Sequence, residues 1–305
     1  MGFRLLSLGV WFSALGVSCS APLPAAEPSP GLTASSGLRL GGSAVTTTRP
    51  APPEPESVTA AAEPVSAESL LDHSEEEESE AQGGEQATEN EIDFVSLPVP
   101  GFQAATLAVP RGDAPFRLVV AAHGAGGDPD ATCSSWARRT RGRALIACPR
   151  GRAMSELEPH GFYYPDHHAL EAEVLALVAA SETRYAPRLV NDGAVYSGFS
   201  QGATMGALFL PARAARFSVL VLTEGGYGEW TRRTAQRFRN TGGERVLFVC
   251  GTRHCAASVA KSARVLESAG VTVRTETVSG GGHTDRGPVG ERLDALVDWA
   301  LSWQR

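Results

Sequence analysis

A mostly parallel α/β sheet covered by helices on both faces is the fold class this sequence predicts, and three features predict it. Short apolar runs rich in β-branched residues recur from residue 117 to residue 252. Such runs suit strands buried on both faces. Segments with helical spacing of apolar residues separate several of them, as crossovers between parallel strands require. The pattern also begins only after about residue 90, and residues 91–305 are ample for one such core.

In chain order, EIDFVSLPVP (91–100) and FQAATLAVP (102–110) read as extended segments that suit a hairpin. RLVVAAHG (117–124) is the first buried-strand run, and WARRTRGR (136–143) leads to a second, ALIACP (144–149). HHALEAEVLALVAASETRY (167–185) carries apolar residues at helical spacing. AVYSGFS (194–200), SVLVLTEG (218–225) and RVLFVCGT (245–252) are three more buried strands. SVAKSARVLESAG (258–270) is a helix stopped by Gly270, VTVRTETV (271–278) a last strand, and VGERLDALVDWALSW (289–303) a final amphipathic helix.

The N-terminus follows other rules. Arg4, the apolar run LLSLGVWFSALGV and the small residues before Cys19 have the shape of a secretory signal over residues 1–19. The run is too short to span a bilayer as a mature helix. LGVSCS resembles the bacterial lipoprotein signal, in which the cysteine is lipidated, although Gly16 stands where that pattern prefers Leu, Val or Ile. The expectation is an exported protein, either anchored to a membrane through Cys19 or secreted. Residues 20–90 are rich in Pro, Ala, Ser and Glu and include HSEEEESE, a composition that cannot bury enough apolar surface to offset ordering entropy. A solvated, disordered linker is expected.

Charge follows this division. Residues 1–90 hold 13 acidic and 3 basic residues, against 21 and 24 in 91–305, so the net acidity belongs to the linker. The basic cluster RRTRGR (138–143) lacks interleaved aromatics, and no nucleic-acid partner is indicated. Beside Cys19 there are four cysteines, Cys133, Cys148, Cys250 and Cys255, an even number that suggests disulfides in an exported chain. Three connectivities are open. Cys133–Cys148 and Cys250–Cys255 are favoured because each pair brackets one short connection. A metal site is the alternative, but no pair has CxxC spacing and His254 alone adds little.

Three motifs carry the chemistry. GFSQG sets Ser200 between Gly198 and Gly202, after a strand and before the helical ATMGALFL, the context of a nucleophile elbow. HGAGGD (123–128) follows the strand at 117–122, and GGGHT (280–284) lies near the C-terminus. With these motifs in this order, residues 91–305 resemble the α/β-hydrolase superfamily, and within it the small carboxylesterases, related phospholipases and polyhydroxyalkanoate-depolymerase-like esterases. The resemblance implies a serine hydrolase working through a Ser-His-acid triad and an acyl-enzyme. Ser200 would be the nucleophile and His283 the general base and acid. The backbone N–H groups of Gln201 and Ala125 would form the oxyanion hole.

The acid departs from the family's pattern. The usual aspartate follows a Gly after the strand that reads RVLFVCGT here, yet the loop is CGTRHCAAS, with no Asp or Glu between Arg245 and Lys261. Some superfamily members place the acid one strand earlier, where Glu224 emerges from a buried strand ahead of two glycines. Glu224 is therefore the expected partner of His283, with Glu229 and Asp285 as alternatives.

Other residues have plainer readings. His123 shapes the loop rather than reacting, His167 and His168 open a helix at the surface, and Trp136 packs under the first helix. Tyr163 and Tyr164 line a pocket or cover the core, with nothing to choose between the two. The short connections leave little room for a lid, which favours small or polymeric soluble esters. No cofactor motif is present. The competing functions are a catalytically inactive binding protein on the same scaffold, suggested by the missing aspartate, and an exported serine peptidase. A cysteine-nucleophile lactone hydrolase is excluded because residue 200 is serine.

Overall fold

The structure is a computed structural model that describes residues 91–113, 115–155 and 161–301. The expected signal, Cys19 and the linker 20–90 lie outside the described residues. β1 (Ile92–Leu97) and β2 (Ala105–Pro110) form the antiparallel pair that the sequence suggested. β2 then pairs antiparallel with β4 (Ala144–Cys148). Beyond β4 every neighbour is parallel: β3 (Arg117–Ala122), β7 (Val195–Phe199), β8 (Val219–Thr223), β9 (Arg245–Cys250) and β10 (Thr272–Thr277). The eight-stranded order is β1-β2-β4-β3-β7-β8-β9-β10. A separate two-stranded hairpin joins β5 (Arg152–Ala153) to β6 (Phe162–Tyr163).

Strands β3, β4, β8 and β9 are buried along their whole length because each faces helices on both sides. On one face Leu118, Val120, Leu220, Val246 and Phe248 meet α2 (His167–Tyr185), α3 (Gln201–Phe209), α4 (Arg232–Asn240) and α5 (Arg253–Ser268). On the other, Val119, Ala121, Ile146, Val221 and Leu247 meet α1 (Pro129–Thr140) and α6 (Gly287–Leu301). The alternation of side chains along a strand sorts these two sets. Among the described residues no helix is long and apolar enough to cross a membrane.

The structure corrects four details. Trp136 lies on the first helix and is itself buried in the α1/α6 core, with the Arg139 guanidinium over its ring. Helix α4 went unread because its sequence, RRTAQRFRN, turns only Ala235 and Phe238 inward and fills its outer face with arginine. Helix α5 begins at Arg253 rather than Ser258, since Thr252 caps it by accepting from the Cys255 N–H. The β5–β6 hairpin has strands of two residues, too short to leave a periodic signal. Cys133 pairs with Cys148 and Cys250 with Cys255, at Cα separations of 5.7 and 5.5 Å. Both are the favoured pairings.

Candidate active site

Ser200, Glu224 and His283 converge at the carboxyl ends of β7, β8 and β10, the edge where open parallel sheets present their loops to ligands. At the β7–α3 turn Ser200 has φ 50° and ψ −108°, a conformation L residues seldom adopt. Its neighbours hold it there. The Ser200 N–H donates to the Thr223 carbonyl at 2.9 Å, and the Ser200 carbonyl accepts from the Thr204 N–H at 2.9 Å. Glycine is required on both sides by close approach. A Cβ on Gly198 would stand 2.6 Å from the Ala203 nitrogen, and one on Gly202 would stand 2.6 Å from the Ala122 oxygen.

His283 arrives on the 280–284 loop. Gly280 and Gly282 take φ of 73° and 77°, and the Gly282 N–H donates to the Gly251 carbonyl at 3.1 Å. The ring lies beside Phe199, with centroids 5.3 Å apart, and the side chain is 54% exposed. Its Nε2 is 2.7 Å from Ser200 Oγ and its Nδ1 3.0 Å from Glu224 Oε2. A carboxylate facing Nδ1 selects the tautomer with hydrogen there, which leaves the Nε2 lone pair toward the hydroxyl. An arrangement of this kind can draw the serine proton onto the imidazole while the carboxylate stabilises the cation.

Glu224 is the interior end of the row, its side chain 1% exposed. It also takes a positive φ, 50°, so two non-glycine residues of this edge carry strained backbone. Four donors surround its carboxylate. Oε1 accepts from the Gly251 and Thr252 N–H groups, the latter at 2.9 Å. Oε2 accepts from the Thr252 hydroxyl at 2.8 Å and from His283 Nδ1. A buried carboxylate is stable only with partners of this kind. Among the described residues neither alternative acid makes a hydrogen bond or ion pair with His283, whose Nδ1 is taken by Glu224. Glu229 is half-buried on the loop before α4, one carboxylate oxygen buried without a hydrogen-bond partner among the described residues, and burial raises its pKa. Asp285 offers its backbone carbonyl to Arg139.

The HGAGGD loop flanks the serine. A Cβ on Gly124 would lie 3.1 Å from Ser200 Cβ, so only glycine lets the loop pass this close. Ala125 is exposed, and its N–H has no hydrogen-bond partner among the described residues, as an oxyanion donor requires. Gln201 begins α3, where a first-turn N–H has no partner within the helix. Its side-chain amide is clasped by the Tyr164 backbone, accepting at 2.9 Å and donating at 3.2 Å.

His123 is buried beneath this loop, its ring nitrogens 2.8 and 3.0 Å from the Gly124 and Arg150 carbonyls. The ring stacks on Tyr164, which is 1% exposed, so Tyr164 covers the core and burial lifts its pKa, whereas Tyr163 is half-buried. The β5–β6 hairpin is sewn to the same loop by Gly126 N–H to the Phe162 carbonyl and Phe162 N–H to the Gly127 carbonyl, at 2.8 and 2.9 Å. His167 and His168 open α2 with their rings 3.9 Å apart.

Two residues of the site escaped the sequence. Thr252 is one; the helix-capping pattern of a Thr before RHCAAS was the signal that could have found it. Met154, 61% exposed with its sulfur over Gly126, is the other, and a lone Met in an irregular segment gives no signal.

No protein-family model matches the chain, and no curated protein matches it. Solved structures do. TT1662 from Thermus thermophilus is 17% identical, with a TM-score of 0.54 over 70% of this chain and 100% of that one. Carboxyl esterase 2 from the mycorrhizal fungus Tuber melanosporum is 14% identical, with a TM-score of 0.51 over 73% of this chain and 90% of that one. FphF, a fluorophosphonate-binding serine hydrolase of Staphylococcus aureus, is 8% identical, with a TM-score of 0.51 over 70% and 99%. At these identities the likeness is one of architecture, and together with the strand order and the helices on both faces it gives this chain the α/β-hydrolase fold.

Proposed function

We propose that the chain is a serine hydrolase of carboxylic esters. One observation carries the reading: a serine on a strained turn, an imidazole and a buried carboxylate stand in a hydrogen-bonded row, with spacings of 2.7 and 3.0 Å. In this mechanism Ser200 Oγ attacks the ester carbonyl as His283 Nε2 takes its proton. The negative oxygen of the tetrahedral intermediate is met by the Gln201 and Ala125 N–H groups, each worth on the order of 2.7–4 kcal/mol in the barrier. Collapse breaks the ester C–O bond, and the departing oxygen takes the proton from His283 and leaves as the alcohol. Water then repeats the sequence on the acyl-enzyme. Glu224 keeps Nδ1–H oriented and stabilises the imidazolium without itself taking the proton.

Small or soluble polymeric esters suit the exposure of Ala125, Gly126, Met154 and His283, which leaves the nucleophile open to solvent. Among the described residues the excursion from β4 to α2 adds only the β5–β6 hairpin at this edge. The test is hydrolysis of a p-nitrophenyl ester series, from acetate to long acyl chains, by the full chain and by Ser200→Ala. Turnover lost in Ser200→Ala supports the proposal. No turnover of any ester by the unaltered chain would return the binding-protein and peptidase readings to the front. For location, the proposal is an exported protein anchored through Cys19 or secreted. Incorporation of labelled fatty acid, abolished by Cys19→Ala, would distinguish the first from the second.

A further inference from the structure

The turn after β9 stands where the family's aspartate is missing, yet it still serves the acid. Gly251 and Thr252 supply three of the four hydrogen bonds that the Glu224 carboxylate accepts, two from backbone N–H and one from the Thr252 hydroxyl. The turn itself is anchored at both ends. Cys250 and Cys255 bridge it covalently, and the Gly251 carbonyl accepts from Gly282 N–H in the loop that carries His283. Glycine is obligatory at 251, because a Cβ there would meet the Gly282 oxygen at 2.2 Å.

We propose that Thr252 is a positioning residue for ester hydrolysis: its hydroxyl hydrogen orients Glu224 toward His283. Capping α5 does not explain the residue by itself. A cap needs only an oxygen that accepts from the helix, and Thr252 Oγ1 does accept from the Cys255 N–H at 3.2 Å. Aspartate would do that equally and would set a second negative charge against Glu224. The hydroxyl accepts from the helix and still has a hydrogen to give, and it gives it to Oε2, the same oxygen that faces His283 Nδ1. With three donors fixed on one rigid turn, the carboxylate plane is set before the imidazole arrives, and the imidazole completes the coordination.

This inference rests on the hydrolase reading above and deepens it. Without the hydroxyl the carboxylate is free to turn about its last torsion, and with one donor fewer it is a stronger base toward the imidazolium. The imidazolium then holds its proton more tightly. Because the base works only when neutral, activity is lost at a higher pH as the solution is acidified.

The test uses the full chain as wild type, Thr252→Val, Thr252→Ser and Thr252→Ala. It measures kcat and KM on p-nitrophenyl acetate across pH, and the titration of the His283 ring by NMR. We expect Thr252→Val and Thr252→Ala to lose on the order of tenfold in kcat at neutral pH, the scale of a donor withdrawn from a charged group. KM should hardly change, and the acid limb and the His283 titration should both move upward in pH. Thr252→Ser should restore all three. Thr252→Ala carries the comparison where the second methyl of valine prevents folding. A kcat within twofold of wild type in Thr252→Val or Thr252→Ala, with an unshifted His283 titration, would overturn the proposal. So would a Thr252→Ser variant as impaired as Thr252→Val, since packing rather than the hydroxyl would then matter. The NMR titration needs no turnover, so a chain that hydrolyses no ester would defeat the functional reading while the titration still decides whether Thr252 orients the acid.

Discussion

Replacing Glu224 with glutamine separates charge from shape at the buried end of the row. The amide oxygen can keep the Gly251 and Thr252 N–H donors, which leaves the NH2 group facing the Thr252 hydroxyl and His283 Nδ1. The hydroxyl can rotate and accept. The imidazole can accept only by moving its hydrogen to Nε2, and that hydrogen then points at Ser200 Oγ, where a lone pair is needed. A trapped wrong tautomer costs on the order of 10⁴ in kcat. Every buried polar atom keeps a partner, so stability should change by no more than about 1 kcal/mol. Glu224→Ala differs in kind. It strands the two N–H groups and the hydroxyl inside the protein at about 1–3 kcal/mol each. At roughly 2–4 °C per kcal/mol for a domain of this size, Tm should fall by about 10 °C or more. Ester turnover measured beside thermal melts checks both variants. A glutamine variant within tenfold of wild-type kcat would refute the reasoning, because the carboxylate would then not be setting the tautomer. A glutamine variant whose Tm falls as far as that of Glu224→Ala would refute it too, since the loss would be structural.

The remaining expectations concern the surroundings of the row. Gly251→Ala would drive its Cβ to 2.2 Å from the Gly282 oxygen and 2.8 Å from Val289 Cγ2, displacing the His283 loop; ester turnover should fall by on the order of tenfold or more together with Tm. Glu229→Gln should leave kcat unchanged, whereas loss of turnover would make Glu229 the acid. Burial raises the Glu229 pKa, so ionising it costs more in the folded than in the unfolded chain and stability should decline as pH rises from its ordinary range through the raised value. Melts between pH 4 and 7 should show that decline weakened in Glu229→Gln. Removing the bridge that joins Cys133 to Cys148, 15 residues apart, by paired serine substitution should cost about 3 kcal/mol, read as a lower denaturation midpoint at unaltered kcat.

Residues whose role depends on neighbours in the chain were legible without coordinates. Ser200 is marked by glycines two positions away on each side, and His283 by the glycines that turn its loop. The strands announce themselves because burial on both faces demands continuous apolar runs. Glu224 was legible for a subtler reason: a carboxylate leaving a buried strand calls for partners, and the loop one strand later has no acid to offer. Helix α4 was hidden because its inward face is only Ala235 and Phe238. The early start of α5 rests on the N-cap pattern of Thr252 before RHCAAS alone, because its first turn adds only Cys255 to the buried face.

By itself, the sequence determined the fold class and pointed to the strands that carry the candidate site, to its serine and histidine, and to the region that would supply the acid. Only the tertiary structure decided that Glu224 faces His283, while Glu229 and Asp285 do not, and that Thr252 and Gly251 complete the carboxylate's coordination. The physical reason is distance along the chain. Glu224 meets Thr252 across 28 residues and His283 across 59, and the His283 contact with Ser200 spans 83. Local patterns report which face of a strand or helix is buried. Which hydroxyl reaches which carboxylate depends on how four parallel strands bring their ends to one edge, and that is settled by packing between elements far apart in sequence.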